Sequence, residues 1–278
     1  MVQAPVLTDE DFHEISVLIK KRFGISLGPQ KRSLVKARLQ KYVHTLGFDS
    51  FSAYLRYLRN DHSGKEWAAL ADRLSTNHTF FNRENIHFDF LRQTVLPFWK
   101  NRLGPGQKLR LWSAGCSSGE EAYQMAMVLT DYFTSVLVKN KAAILATDIS
   151  HQALQKARQG RYSADQVRPL GQTYVRKYFL PQNASTFEVK PFLKELILFR
   201  RLNLVRPVFP FKHKFHVIFC RNVMIYFDES TRRELVERFH HYLMPGGFLF
   251  IGHSENIDFN NPYFKFVRPS IFVHEGGT

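Results

Sequence analysis

The sequence predicts an α/β fold with a mostly parallel sheet, preceded by an all-helical unit and interrupted by a small antiparallel β insertion. Three observations carry this prediction. Residues 9–74 show only helical periodicity. Leu109 to Tyr123 then reads as strand, Gly-rich turn and helix. Apolar runs at 142–148 and 215–220 look like further buried strands, each followed by helical spacing.

In the helical unit, Asp9 to Phe23 forms an amphipathic pattern. Thr8 can cap it, Asp9, Glu10 and Asp11 suit its first turn, Phe12, Ile15, Leu18 and Ile19 make its apolar stripe, and Gly24 ends it. A second helix is expected after Pro29, with Leu34/Val35, Leu39, Tyr42/Val43 and Leu46 facing inward. Lys31, Arg32, Lys36, Arg38 and Lys41 are left on its other faces, and Arg38 and Lys41, three apart, share a side. Two more helices are expected, from Phe51 to Arg59 and from about Glu66 through Leu74. The basic ridge reads either as a solvated face or as a docking surface for an acidic helix.

Ser75 to Arg83 joins this unit to the rest and mixes polar side chains with aromatics. Asn77, Thr79 and Arg83 can hydrogen-bond a ligand while Phe80 and Phe81 exclude water; a helix cap followed by surface residues is the alternative. His78 and His87 belong to no set of His, Cys and carboxylate residues with metal-ligand spacing, so no metal is expected. A helix from Glu84 to Trp99 follows, and Gly104-Pro105-Gly106 turns the chain into the first strand.

That strand, with Leu109, Leu111 and Trp112 buried, ends in a run of small residues from Gly115 to Gly119, where backbone can approach a ligand closely. The helix after it begins with Glu120 and Glu121. No Gly-Lys-Ser/Thr ending is present, nor Gly-x-Gly-x-x-Gly, and two carboxylates are poor neighbours for a pyrophosphate. They suit a cationic or hydroxyl-bearing ligand. The next strand, Ala142 to Asp148, ends in a carboxylate placed to accept hydrogen bonds from ribose hydroxyls, unless Asp148 only caps the helix beginning near Ser150. Gln152 to Gly160 reads as helix. Thr186 to Val189 and Leu196 to Arg201 are spaced as a hairpin, which places the β insertion at about 176–202. Phe215 to Cys220 is a central strand ending in Arg221-Asn222. A helix starts at Asp228 or Glu229, Phe248 to Gly252 is a strand, and Ser270 to His274 a last antiparallel one.

Composition narrows the function. The 278-residue chain has a net charge of +15, which reads either as a generally basic, soluble surface or as the mark of an anionic partner: nucleic acid, a membrane surface or an acidic protein. No apolar run is long enough to span a bilayer and no secretory signal is present. Cys116 and Cys220 are the only cysteines and make no disulfide framework, so a reducing cytoplasm is expected.

Four separated motifs, Trp112-Ser-Ala-Gly-Cys-Ser-Ser-Gly-Glu-Glu-Ala-Tyr123, Ala146-Thr-Asp148, Cys220-Arg-Asn-Val-Met-Ile-Tyr-Phe227 and Gly252-His-Ser-Glu255, closely resemble the CheR family, the chemotaxis receptor methyltransferases of bacteria. The resemblance runs from about residue 8 to 274 and includes Thr76-Asn-x-Thr79. It implies an S-adenosylmethionine-dependent protein-glutamate O-methyltransferase, yielding S-adenosylhomocysteine, with an N-terminal helical domain (1–75), a linker (76–88) and a Rossmann-like methyltransferase domain (89–278). By similarity, Asn77, Thr79 and Arg83 contact the cofactor from the linker. Glu121 and the Gly115 turn hold its methionine portion, Asp148 its ribose, and Asn203, Leu204, Arg221 and Asn222 complete the pocket. One departure is visible: the family usually reads Phe-Phe-Arg, where this chain has Phe80-Phe81-Asn82-Arg83.

The implied substrate is glutamate on chemoreceptor cytoplasmic helices, and in some family members the β subdomain also grips a receptor's C-terminal pentapeptide. A glutamate carboxylate is ionised at neutral pH and needs no general base. Arg83 and Tyr226 are therefore expected to line the methyl-transfer site, Arg83 by orienting the carboxylate, and the basic ridge to attract the acidic helix. A nucleic-acid methyltransferase would suit the charge but lacks an Asn/Asp-Pro-Pro-Tyr/Phe motif, a Pro-Cys nucleophile, and a basic stripe interleaved with aromatics. A non-catalytic cofactor sensor or scaffold is the other reading, against which the full set of pocket residues stands. Membrane insertion is not expected, and the absence of heptads points to a monomer.

Overall fold

The computed structural model describes residues 4–134, 137–258 and 261–275. Helix α1 (Asp9–Phe23) opens with a capping box: the Asp11 N–H donates to Thr8 Oγ1 at 3.1 Å and the Thr8 N–H to Asp11 Oδ2 at 3.4 Å. Gly24 closes it in the left-handed region at φ +73°, where a Cβ would lie 2.4 Å from Val205 Cγ1. A 3-10 turn, Pro29–Lys31, leads into α2 (Arg32–Thr45), and α3 (Phe51–Arg59) and α4 (Lys65–Leu74) complete the unit. Ile15, Ile19, Val35, Leu39, Val43, Leu58 and Leu70 form its separate core. The buried stripe of α2 is narrower than its sequence suggests. Val35, Leu39 and Val43 face in at strict i+4 spacing, whereas Leu34 and Leu46 are exposed, because only one side of the helix is packed.

The helix expected from Glu84 begins at Ile86. Glu84 takes φ +52°, inside a turn that precedes the helix, and the helical path then runs through a π segment, Leu91–Val95, to Lys100.

Strands β1 (Leu109–Ala114), β2 (Ala142–Asp148), β6 (Ile197–Arg201), β7 (Phe215–Cys220) and β8 (Leu243–Ile251) are parallel. They join antiparallel β9 (Phe264–Arg268) and β10 (Ile271–His274) in a seven-stranded sheet of order β6-β2-β1-β7-β8-β10-β9. The period of two sends Leu111 to the core on one face and Trp112 to the core on the other. Strand order reverses at β1, which has β2 on one side and β7 on the other, so a crevice opens at their carboxyl ends. Helix Glu120–Phe133 covers one face and helix Glu229–Tyr242, capped by Asp228, the other. Cys116 and Cys220 are both free and buried.

The β insertion differs from the expectation. Thr186–Val189 (β5) does not pair with β6. It lies between β3 (Arg161–Ser163) and β4 (Phe179–Pro181) in a separate three-stranded antiparallel sheet, with Tyr162 opposite Phe187 and Leu180 opposite Glu188. Strand β6 instead runs parallel to β2, Ile144 opposite Ile197, as the edge of the main sheet. A helical turn, Pro191–Lys194, occupies the short connection read as a hairpin loop and redirects the chain. The insertion therefore spans 161–189 rather than 176–202. Strand β9, which the sequence pattern does not announce, extends the far edge.

Candidate functional site

A pocket enclosing about 1030 Å³, its open mouth included, sits at the carboxyl ends of β1, β2 and β7. The helical unit supplies part of its wall through Phe23 and Ile25, and the linker crosses it from Leu74 to Phe80. Two contacts hold the units in register here: the Ser26 N–H donates to the Tyr226 carbonyl at 2.8 Å, and Asn203 Nδ2 to the Arg22 carbonyl at 2.7 Å.

The floor is the Gly115 turn. Gly115 adopts φ +91°, and a Cβ there would lie 2.3 Å from Val223 Cγ2. Only glycine lets the backbone turn this closely under the β7 loop. The Gly115 and Cys116 N–H groups both donate to the Thr147 carbonyl, at 2.7 and 2.9 Å, which ties the turn to β2.

Arg221 organises the charge. Its Nη1 is 3.2 Å from Glu121 Oε2, its Nε donates to Glu84 Oε2 at 3.1 Å, and its Nη2 donates to the Arg83 carbonyl. The guanidinium side chain is 2% exposed, so it is almost wholly desolvated and balanced by two carboxylates. Glu121 also accepts from Ser113 Oγ at 2.6 Å; burial raises its pKa, against the pull of Arg221. Burial acts upward on Glu84 too, but the Arg221 charge and the His253 N–H outweigh it and leave the carboxyl below the ordinary range. Burial, then the Arg221 charge, pushes the His87 imidazole down to about 3, so it is neutral at pH 7.

Asp148 ends β2 with both oxygens engaged: Ser117 N–H donates to Oδ2 and Ser150 N–H to Oδ1, each at 2.8 Å. The helix His151–Gln159 is capped by Ser150 itself. Each Asp148 oxygen retains a lone pair for a hydroxyl donor, and burial raises its pKa.

Every residue the sequence proposed for cofactor or catalysis lines this pocket: Asn77, Thr79, Arg83, Gly115, Glu121, Asp148, Asn203, Leu204, Arg221, Asn222 and Tyr226. Arg83 is steered by its Nη1, which donates to the His78 carbonyl at 2.9 Å. Asn82, the departure from the family pattern, sits at φ +64°, a left-handed conformation that asparagine tolerates well. Its N–H donates to Gln124 Oε1 at 2.8 Å, and Gln124 Nε2 donates back to Asn82 Oδ1 at 2.6 Å. A reciprocal amide pair therefore holds this edge.

The basic ridge does not form as one surface. Arg38 donates through Nη1 to the Leu74 and Ser75 carbonyls, at 2.9 and 3.0 Å, and reaches Thr76 Oγ1 at 3.4 Å. It pins the linker. Arg32 pairs with Asp9 at 2.8 Å and the Leu7 carbonyl at 2.5 Å. Lys31 donates to the Ser26 carbonyl at 3.1 Å and lies over the Tyr226 ring. Lys36 and Lys41 are exposed. Long basic side chains at a domain junction find carbonyls, which helical spacing cannot foretell.

Sequence reasoning missed two carboxylates. Glu84 bridges Arg221 and the His253 N–H. Glu255 accepts the N–H groups of Gly252, Asn222 and Ile225, at 2.6, 2.8 and 3.2 Å, and so clamps the loops after β7 and β8 together. The Gly252-His-Ser-Glu255 motif marked the second; only its role was hidden. The fold also gathers Glu84, His87 and His253, a set of potential metal ligands that linear spacing did not reveal.

Residues 10–75 match the family described as CheR methyltransferase, all-alpha domain, and residues 77–273 match CheR methyltransferase, SAM binding domain. The chain belongs to the CheR methyltransferase family. This CheR chain is 40% identical over 268 residues to the chemotaxis protein methyltransferase of Borreliella burgdorferi, covering 96% of this chain and 94% of that one. It is 38% identical over 260 residues to the chemotaxis protein methyltransferase of Escherichia coli, covering 92% and 87%. The cofactor is S-adenosylmethionine, and the site fits it: the carboxylates of Asp148 and Glu121 line a pocket whose glycine floor has no room for a side chain. No described helix is long and apolar enough to cross a membrane.

Proposed function

We propose that the protein transfers a methyl group from S-adenosylmethionine to glutamate side chains on the cytoplasmic helices of bacterial chemoreceptors. The observation that carries this reading is Arg83: its Nη1 donates to the His78 carbonyl, and the side chain lines the same pocket as Tyr226, Glu121 and Asp148. An anionic acceptor needs such a group, and the likeness to chemotaxis protein methyltransferases supports an acceptor in a chemosensory pathway.

When bound, the cofactor supplies a methyl group on a sulfonium, open to displacement by a carboxylate oxygen. Asp148 would accept the ribose hydroxyls through lone pairs its backbone donors leave free. Glu121, set by Ser113 and Arg221, would hold the cationic amino group of the methionine portion, together with Asn77, Thr79 and the Gly115 turn, which line the same pocket. Asn203, Leu204, Arg221 and Asn222 complete the enclosure. Arg83 orients the incoming glutamate and Tyr226 lines its approach. The acceptor arrives ionised, so no residue has to remove a proton. Alignment of this kind contributes roughly 7–11 kcal/mol in favourable cases.

Lys36 and Lys41 supply the exposed charge that attracts a glutamate-rich helix. Where a receptor carries a C-terminal pentapeptide, the edges of the three-stranded sheet offer a place for an added strand. The protein acts as a monomer in the cytoplasm on this reading. The test is transfer of labelled methyl from S-adenosylmethionine to membranes containing chemoreceptors, followed by mild base. Base-labile label on the receptor supports a carboxyl methyl ester. Base-stable label, or label on nucleic acid instead, sinks the proposal.

A further inference from the structure

Glu84, His87 and His253 converge beside the cofactor pocket. One potential ligand atom from each lies within 4.8 Å of the others. Glu84 Oε2 stands 3.5 Å from His87 Nδ1, brought there by the turn that precedes the helix. His253 enters from the loop after β8. Its ring meets that of His87 edge-on, with centroids 5.1 Å apart, and its N–H donates to Glu84 Oε1 at 3.2 Å.

His87 is the informative member. It is fully buried, with Phe219 and Phe250 against its ring. Neither ring nitrogen has a hydrogen-bond partner among the described residues, and the 3.5 Å approach to Glu84 is too long to serve as one. Buried polar groups are nearly always paired, so an unpaired imidazole beside a carboxylate and a second imidazole calls for a ligand. Two imidazoles and one carboxylate form a donor set suited to zinc and neighbouring first-row cations, with a further position open.

We propose that Glu84, His87 and His253 bind a divalent cation of the zinc class at a site that shares Glu84 with Arg221. Arg221 Nη2 is 3.1 Å from Glu84 Oε2, the oxygen that also faces His87. Arg221 and Arg83 balance Glu84 and Glu121, so with His87 neutral the cluster carries no net positive charge to repel a cation. Metal binding draws Glu84 away from Arg221, which keeps Glu121 at 3.2 Å. Arg221 and Glu121 line the cofactor pocket. Metal and cofactor therefore change each other's affinity by the same factor.

The test is calorimetric titration of Zn²⁺ into chelator-stripped, full-length protein, with and without saturating S-adenosylhomocysteine. Wild type is expected to take one Zn²⁺ per chain. His253→Ala, at an exposed position that leaves the core intact, should weaken binding about tenfold or more, and Glu84→Gln likewise. His62→Ala, at an exposed histidine of the helical unit, should change nothing. Saturating cofactor product should shift the Zn²⁺ affinity of wild type, and Zn²⁺ should shift the affinity for the product by the same factor. Equal binding by wild type and His253→Ala, or no binding by wild type, overturns the site. Affinities that ignore one another overturn the shared carboxylate. No methyl acceptor is present, so the outcome is separate from the proposed reaction.

Discussion

Arg221 Nη1 lies 3.2 Å from Glu121 Oε2, and the two side chains are 2% and 13% exposed. One residue follows the central strand β7 and the other opens the helix after β1, so the pair joins both sides of the switch point. Glu121→Gln keeps the shape and removes the charge. It should weaken S-adenosylhomocysteine binding about tenfold or more, the scale of losing a charge-assisted hydrogen bond of about 1.5–3 kcal/mol. Isothermal calorimetry reads this directly, and an unchanged affinity removes Glu121 from the cofactor site.

Gly115→Ala places a methyl 2.3 Å from Val223 Cγ2 and asks alanine to hold φ +91°. The turn must shift, and cofactor binding should be lost while the circular dichroism spectrum persists. Trimming the neighbour, in Gly115→Ala/Val223→Ala, relieves the collision but not the backbone strain and should restore binding in part. Wild-type affinity in the single variant contradicts the close-approach argument.

Arg83→Ala should lower the rate of receptor methylation about a hundredfold, the cost expected of misplaced reactants, with a much smaller change in cofactor affinity. Tyr226→Phe should lower it less. If both variants methylate at the wild-type rate, the acceptor carboxylate is oriented by other groups.

Lys36→Glu/Lys41→Glu should raise the KM for receptor membranes, most clearly at low salt, without altering cofactor affinity. Arg38→Ala should behave differently. It frees the Leu74 and Ser75 carbonyls that its guanidinium holds, loosens the linker over the pocket, and should weaken cofactor binding as well. Identical phenotypes would contradict the division of the ridge into a docking part and a structural part.

His216 gives a pH dependence. Burial, then the nearby Arg110 charge, pushes its pKa down to about 4, while its Nδ1 accepts the Arg110 N–H at 2.9 Å. The unfolded chain binds the proton more readily, so this stability is fully present above about pH 6.5 and is lost as pH falls towards 4. The slope per histidine approaches at most about 1.4 kcal/mol per pH unit. Urea midpoints from pH 7.5 to 4.5 should fall, and fall less steeply in His216→Gln. Parallel curves would assign the acid sensitivity to other groups.

Local chemistry wrote much of this protein in advance. Thr8 with Asp9 to Asp11 starts α1 and Gly24 stops it, because caps and φ > 0 are properties of single residues. The Gly115 turn, the acidic start of the following helix and Asp148 at the end of β2 were legible as a ligand cradle for the same reason: strand ends and helix starts meet at the carboxyl edge of a parallel sheet. What tertiary structure alone decided involves partners far apart in sequence. The segments 186–189 and 197–201 were each recognisable as strands, but pairing is chosen by which edge the redirected chain reaches, and Pro191–Lys194 sends the second to β2. Arg38 became a clamp because the linker carbonyls fold over it, and Arg221 became the hub because Glu84 and Glu121 arrive from different elements. Charge in a sequence states how much attraction is available; only the fold, by fixing distance and removing water, states where it acts.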